Sequence, residues 1–245
     1  MIYKDFIFIH IPKTGGSSIR SSLNKNYELI YSATQENLKK LGYLNLNENF
    51  EDYDFKIHNF IDHLPYPLIK KKSYDINKYK FTFIRNPFSR IVSLYFECMA
   101  NKFHLEGLTI NKKISFEEFV EIITTRPYWF TLPMTDYIGI KNINDINFIG
   151  RFENFENDLL ELKKKIKISI KHHNYNNHIP SKMKFSDYSP FYSNKKIIEK
   201  IYFYYEKDFD YFKYTYEDFL KFENKKVKLS TIFMRLIKRK FVNLT

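Results

Sequence analysis

The chain has 245 residues, a formal net charge of +12, seven histidines and a single cysteine, Cys98. One cysteine excludes an internal disulfide and a cysteine-built metal centre, and the lack of any apolar run of about 18 residues excludes an ordinary membrane-spanning helix. The length suits one large α/β domain, and a first strand placed almost at Met1 leaves no room for a leader, so a cytoplasmic protein is expected.

The first predicted element is Asp5 to His10, where Phe6, Ile7, Phe8 and Ile9 form the apolar run of a buried strand, and Ser17 to Leu23 reads as the opening of a helix. In the turn between them Gly15 and Gly16 permit positive φ and close backbone approach, so successive amides can converge on an anion at a helix N-terminus. Lys13, Thr14, Gly15, Gly16, Ser17 and Ser18 are therefore the first candidate binding residues. Tyr53 to His58 and Tyr79 to Ile84 read as further strands. Arg85 follows the latter, Pro87 suits the first turn of a helix, and Phe88 to Asn101 carries Ile91, Val92, Leu94, Tyr95 and Met99 on one broad face. Arg85 and Ser93, the serine about two turns into that helix, form a second candidate anion grip, because a guanidinium takes phosphate bidentately. Arg90 reads as a structural ion-pair partner.

Further along, Ser115 and Glu118 make a capping box for a helix over 116–123. Tyr128, Trp129 and Phe130 read either as a platform for a sugar ring or as core. Asn147 to Gly150 is a strand, Asn154 can cap a helix through Leu162, and Asn194 to Phe212 places Ile197, Ile198, Ile201, Tyr202, Tyr205 and Phe209 at helical spacing. The positive charge is local: Lys163 to Lys184 holds seven lysines and Lys225 to Lys240 seven more Lys or Arg, both without a carboxylate, and the other 26 basic residues face 28 acidic ones. Such segments imply anionic partners: nucleotide, acidic glycan or membrane surface. Residues 225–245, after a main domain of 1–224, read as a basic amphipathic tail that either lies on an anionic inner leaflet, making the protein peripheral to that membrane, or packs on protein.

Strands alternating with helices imply an α/β, P-loop-like, doubly wound fold with a largely parallel sheet flanked by helices. Ligands gather at the carboxyl edge of such a sheet, and His10, His58 and Arg85 each stand just past a predicted strand.

HIPKTGGSS (His10 to Ser18) and RNPFSRIVSLY (Arg85 to Tyr95) together resemble the two cofactor motifs of the family 2 sulfotransferases, which include carbohydrate sulfotransferases and use 3′-phosphoadenosine 5′-phosphosulfate. The resemblance continues in GRFENFENDL (Gly150 to Leu159) and from Tyr192 to Tyr214. It implies that the first motif holds the 5′-phosphosulfate, that the second holds the 3′-phosphate, and that His58 is the general base. This chain has Arg85-Asn86-Pro87 where the family usually has Arg-Asp-Pro, and Ser17 where Thr is usual. His178 to Lys182 matches a late cofactor-contacting segment loosely, with Ser181 and Lys182 as its candidates.

The chemistry points the same way. Sulfuryl transfer asks for in-line positioning and for charge stabilisation on the leaving phosphate oxygen, which Lys13 supplies at the mouth of the loop. No metal is expected. The acceptor hydroxyl, expected to belong to a carbohydrate, needs a base of near-neutral pKa, hence a histidine. His58 leads, with His63 as the substitute, His10 as a brace for the loop, and His172 and His173 solvated. A nucleotide-dependent kinase is the rival enzyme, but a Walker loop puts its lysine after the glycines whereas Lys13 precedes Gly15. A nucleic-acid or membrane-binding protein would leave both anion motifs unexplained, and no nucleic-acid partner is expected.

Overall fold

The computed structural model describes residues 1–31, 49–50, 53–56, 62–71, 77–166 and 187–225. His58, His172, His173, His178, Ser181, Lys182 and the tail from 226 onward lie outside the described residues. The strands are β1 (Ile2–Tyr3), β2 (Phe6–Ile9), β3 (Leu29–Tyr31), β4 (Asn49–Phe50), β5 (Tyr53–Lys56), β6 (Tyr79–Ile84) and β7 (Phe148–Arg151). The helices are α1 (Gly16–Asn26), α2 (Tyr66–Lys71), α3 (Pro87–Ala100), α4 (Lys102–Gly107), α5 (Phe116–Thr125), α6 (Met134–Ile138), α7 (Phe155–Ile166), α8 (Lys195–Tyr204) and α9 (Glu206–Phe212). Residues 216–225 are also helical. Two compact units result: Met1–Arg85 with Ile122–Tyr175, and Asn86–Glu121 with Asn176–Thr245.

The first unit holds a five-stranded sheet in the order β3-β1-β2-β6-β7. β2 pairs parallel with β6, and β6 parallel with β7, while β1 is antiparallel to both β2 and β3. Four of the five strands thus run one way, which is the largely parallel sheet expected. Phe6, Phe8, Phe81, Phe83 and Phe148 share a core with Ile19 and Leu23 of α1 and Phe155, Leu159 and Leu162 of α7. The period-two spacing of the phenylalanines puts them on one face, and Ile7, Ile9 and Thr82, on the other, are equally buried. Burial on both faces is why these strands read as continuous apolar runs. Each fully buried phenyl ring contributes about 2–3 kcal/mol by transfer from water. The one polar side chain among these strand positions is satisfied: Thr82 Oγ1 donates to the Ile9 carbonyl at 2.8 Å.

β5 departs from expectation. It pairs antiparallel with β4 in a separate two-stranded sheet rather than joining the main one. The sheet-edge reasoning that put the end of this strand beside Arg85 therefore lacks its premise.

In the second unit Phe88 packs against Tyr192, Phe209, Tyr216 and Phe219, with ring centroids 5.3, 5.1, 4.9 and 5.9 Å away, and the Tyr192 hydroxyl donates to the Phe88 carbonyl. Arg90 is fully buried here, its guanidinium carbon 5.9 Å from the Tyr205 ring centroid, in keeping with a structural role. The capping box forms as predicted: Glu118 N–H donates to Ser115 Oγ at 3.2 Å, and Ser115 N–H to Glu118 Oε2 at 2.8 Å. Those bonds hold the Glu118 carboxyl below its usual pKa. The long helix expected over Asn194 to Phe212 is instead two, broken at Tyr205 (φ −105°, ψ 22°), with Asn194 capping the first by accepting from Lys196 N–H at 3.0 Å. In the first unit Asn154 does not cap α7. It donates to Asp158 Oδ1 at 2.7 Å, and α7 runs on to Ile166 rather than ending at Leu162.

Asn86 explains its own departure from the family pattern. Its Oδ1 caps α3 by accepting from Phe88 N–H at 3.1 Å, and its Nδ2 donates to the Thr215 carbonyl at 2.9 Å. Thr215 in turn opens the following helix, exchanging bonds with Asp218 at 2.9 to 3.2 Å. An aspartate could cap α3 equally well but would set a carboxylate oxygen against the Thr215 carbonyl. Asn86 is 1% exposed, so Asn86→Asp should cost about 2–3 kcal/mol at neutral pH, measured as a lower urea midpoint. Because burial raises the new carboxyl's pKa and its protonated form can donate, the loss should shrink as pH falls. Unchanged stability at pH 7 would rule out this account.

Candidate active site

Lys13, Thr14, Gly15, Gly16, Ser17 and Ser18 form the loop from β2 into α1. Lys13 and Gly15 both adopt left-handed backbone, φ 64° and 91°, a geometry that turns amides to one side of a loop ahead of a helix. Gly15 is the N-cap residue of α1 and offers no side-chain cap, and the first turn carries no acidic residue. The amides of that first turn and the positive end of the helix are thus arranged for an anion from outside. Thr14 Oγ1 donates to the Ile11 carbonyl at 3.0 Å, so its hydroxyl closes the turn and its backbone amide is what it offers a ligand. Close packing shapes the loop as well: a Cβ on Gly15 would lie 2.8 Å from Phe155 Cε2, and one on Gly16 2.1 Å from His10 Cδ2.

Arg85 directly follows β6, beside this loop. Its Nη1 donates to the Lys13 carbonyl at 3.2 Å, its guanidinium carbon lies 4.1 Å from the Phe152 ring centroid, and its backbone N–H reaches Met134 Sδ at 3.4 Å. The arginine is 5% exposed, so a buried cation stands directly against the loop from Lys13 to Ser18. The structure therefore brings Lys13 to Ser18 and Arg85 together within one unit. Ser93 is buried on α3, in the other unit.

His63, the substitute candidate, stands beside His10. Its ring centroid is 4.2 Å from that of His10, with Trp129 at 6.2 Å and Phe130 at 5.8 Å. His63 Nδ1 lies 2.8 Å from the His10 carbonyl oxygen. A carbonyl can only accept, so Nδ1 carries the proton, and in the neutral ring Nε2 keeps the lone pair. The neighbouring Arg20 and Asp62 form an ion pair. His10 is buried and held well below the ordinary histidine pKa, first by desolvation and then by the charges of His63 and Arg20. It stays neutral, and the stability this permits, fully present above about pH 6.5, is lost as pH falls below that value. Tyr128, Trp129 and Phe130 are 6%, 4% and 5% exposed, which makes them core and not an open sugar platform.

Among the described residues no group of three or more His, Cys, Asp or Glu is placed to hold a metal ion, and no helix is long and apolar enough to cross a membrane. Searches of curated proteins and of solved structures returned no match. The model of the sulfotransferase family matches residues 3–215, a span that takes in the loop, Arg85, His63 and the Phe152 turn, and the chain belongs to that family, the family 2 sulfotransferases.

Proposed function

We propose that this sulfotransferase takes its sulfuryl group from 3′-phosphoadenosine 5′-phosphosulfate and passes it to a carbohydrate hydroxyl. The observation that carries the reading is the left-handed loop at the α1 N-terminus with Arg85 bonded to its Lys13 carbonyl. One donor molecule bears two anionic groups at a fixed spacing, and this arrangement offers two cationic or amide-rich positions side by side. The loop from Lys13 to Ser18 takes the 5′-phosphosulfate, and Arg85 takes the 3′-phosphate.

In the transfer step the acceptor oxygen attacks sulfur in line with the phosphate bridge, the new O–S bond forms as the bridging S–O bond breaks, and adenosine 3′,5′-bisphosphate leaves. Lys13 stabilises the charge on the departing phosphate oxygen. A histidine Nε2 accepts the acceptor's hydroxyl proton. The resemblance assigns that base to His58. A second reading assigns it to His63, favoured by the Nδ1 bond to the His10 carbonyl, which leaves Nε2 unprotonated in the neutral ring. Alanine replacement separates them: loss of the base should lower kcat by about 10²-fold with donor affinity nearly intact, and remove the acidic limb of the pH–rate profile. If neither His58→Ala nor His63→Ala does so, neither histidine is the base.

The donor assignment has its own test. Arg85→Ala should weaken adenosine 3′,5′-bisphosphate by about 10²-fold and adenosine 5′-monophosphate far less, because only the former carries the 3′-phosphate. Equal losses in calorimetric titration would overturn the assignment.

A further inference from the structure

We propose that Phe152 is a positioning residue for donor selectivity: its ring face holds the Arg85 guanidinium in place beside the anion-binding loop. This rests on the reading of Arg85 as the 3′-phosphate ligand. Arginine has a long, rotamer-rich side chain, and its fork recognises phosphate only when its plane is fixed. Among the contacts that fix it are the Lys13 carbonyl at 3.2 Å on its edge and the Phe152 ring at 4.1 Å on its face. A ring face uses none of the guanidinium's N–H donors. Aromatic stacking thus orients the cation without competing for the donors that a phosphate needs.

Phe152 is itself held firmly. It opens the 3₁₀ turn Phe152–Asn154 between β7 and α7. Asp158, in the first turn of α7, accepts from Arg151 N–H at 2.6 Å and from Asn154 Nδ2 at 2.7 Å, pinning the turn from both sides. The same ring also touches the loop: a Cβ on Gly15 would come 3.2 Å from Phe152 Cδ2, with Phe155 closer still at 2.8 Å. One side chain therefore lies beside the holders of both proposed phosphate positions, with Phe155 the nearer ring to Gly15 and Phe152 the ring against Arg85. Removing the ring face should consequently cost 3′-phosphate recognition more than 5′-phosphate binding.

The test is calorimetric titration of adenosine 3′,5′-bisphosphate and adenosine 5′-monophosphate against the full chain carrying Phe152→Leu, Phe152→Met, Phe152→Tyr or Arg85→Ala. Phe152→Leu keeps most of the volume without a π face and should reduce the preference for the bisphosphate about tenfold, moving the monophosphate no more than about twofold. Phe152→Tyr should restore the preference, a rescue that simple packing loss would not give. Phe152→Met repeats the measurement should the leucine variant fail to fold. If Arg85→Ala abolishes the preference while Phe152→Leu and Phe152→Met retain it, Phe152 has no such role. If Arg85→Ala leaves the preference intact, the Arg85 reading falls, and this proposal with it.

Discussion

Lys13→Ala is expected to reduce turnover by about 10³-fold while weakening donor-product affinity only about tenfold, since the ammonium meets more charge in the transition state than in either ground state. Alanine is the informative replacement because of the backbone. Lys13 sits at φ 64°, a left-handed conformation that costs an L-residue about 1–2 kcal/mol and is held here by the Arg85 bond to its carbonyl. Alanine keeps that cost and removes the charge, whereas glycine would also relax the loop and blur the comparison. The side chain lies partly at the surface, so the thermal midpoint should move by no more than a few degrees. Single-turnover rates with labelled donor check the first figure, and titration of adenosine 3′,5′-bisphosphate checks the second. Turnover within about tenfold of the parent would remove Lys13 from the chemistry.

The contrast between Lys13 and His63 illustrates what the sequence could carry. The strand, loop and helix from Phe6 to Leu23 were legible because every signal there is local: four consecutive apolar residues, two glycines, then helix-forming residues. The same holds for Tyr79–Ile84 running into a helix with Pro87 at its first position, and for the Ser115–Glu118 box. What failed to show depends on contacts between distant segments. β1 and β3 are two and three residues long, too short for any periodicity, and exist through pairing of Ile2 with Ile7 and Tyr31. β5 reads as a strand from its alternating aromatic residues, but that pattern does not name its partner, the nearby Asn49–Phe50. His63 and His10 stand 53 positions apart, so their shared hydrogen bond has no local signature. Phe152 lies inside GRFENFENDL, but its cation partner Arg85 follows a strand 67 positions earlier in the chain. Local rules therefore recovered the strand–loop–helix geometry, and tertiary contacts added the groups packed around it.

Gly16→Ala is expected to be as damaging as loss of Lys13, for a steric reason. The added methyl carbon would fall 2.1 Å from His10 Cδ2 and 2.4 Å from Nε2, where ordinary contact begins near 3.4 Å, so the imidazole would have to retreat by more than an ångström. It has nowhere to go. The ring is 3% exposed, with Phe8 stacked at 5.3 Å between centroids and His63 at 4.2 Å. Moving it would disturb the Nδ1 bond from His63 to the His10 carbonyl and tilt the first turn of α1, whose amides are the proposed anion site. Overpacking of this kind costs about 1–3 kcal/mol in stability, and a displacement near one ångström in a positioned site costs about 10²-fold in rate. Pairing Gly16→Ala with His10→Ala identifies the cause. If the clash is the mechanism, trimming the ring should return part of the lost donor affinity, and the two changes should be less than additive in a double-mutant cycle. Strict additivity would instead place the defect in the helix start itself, with the His10 ring a bystander.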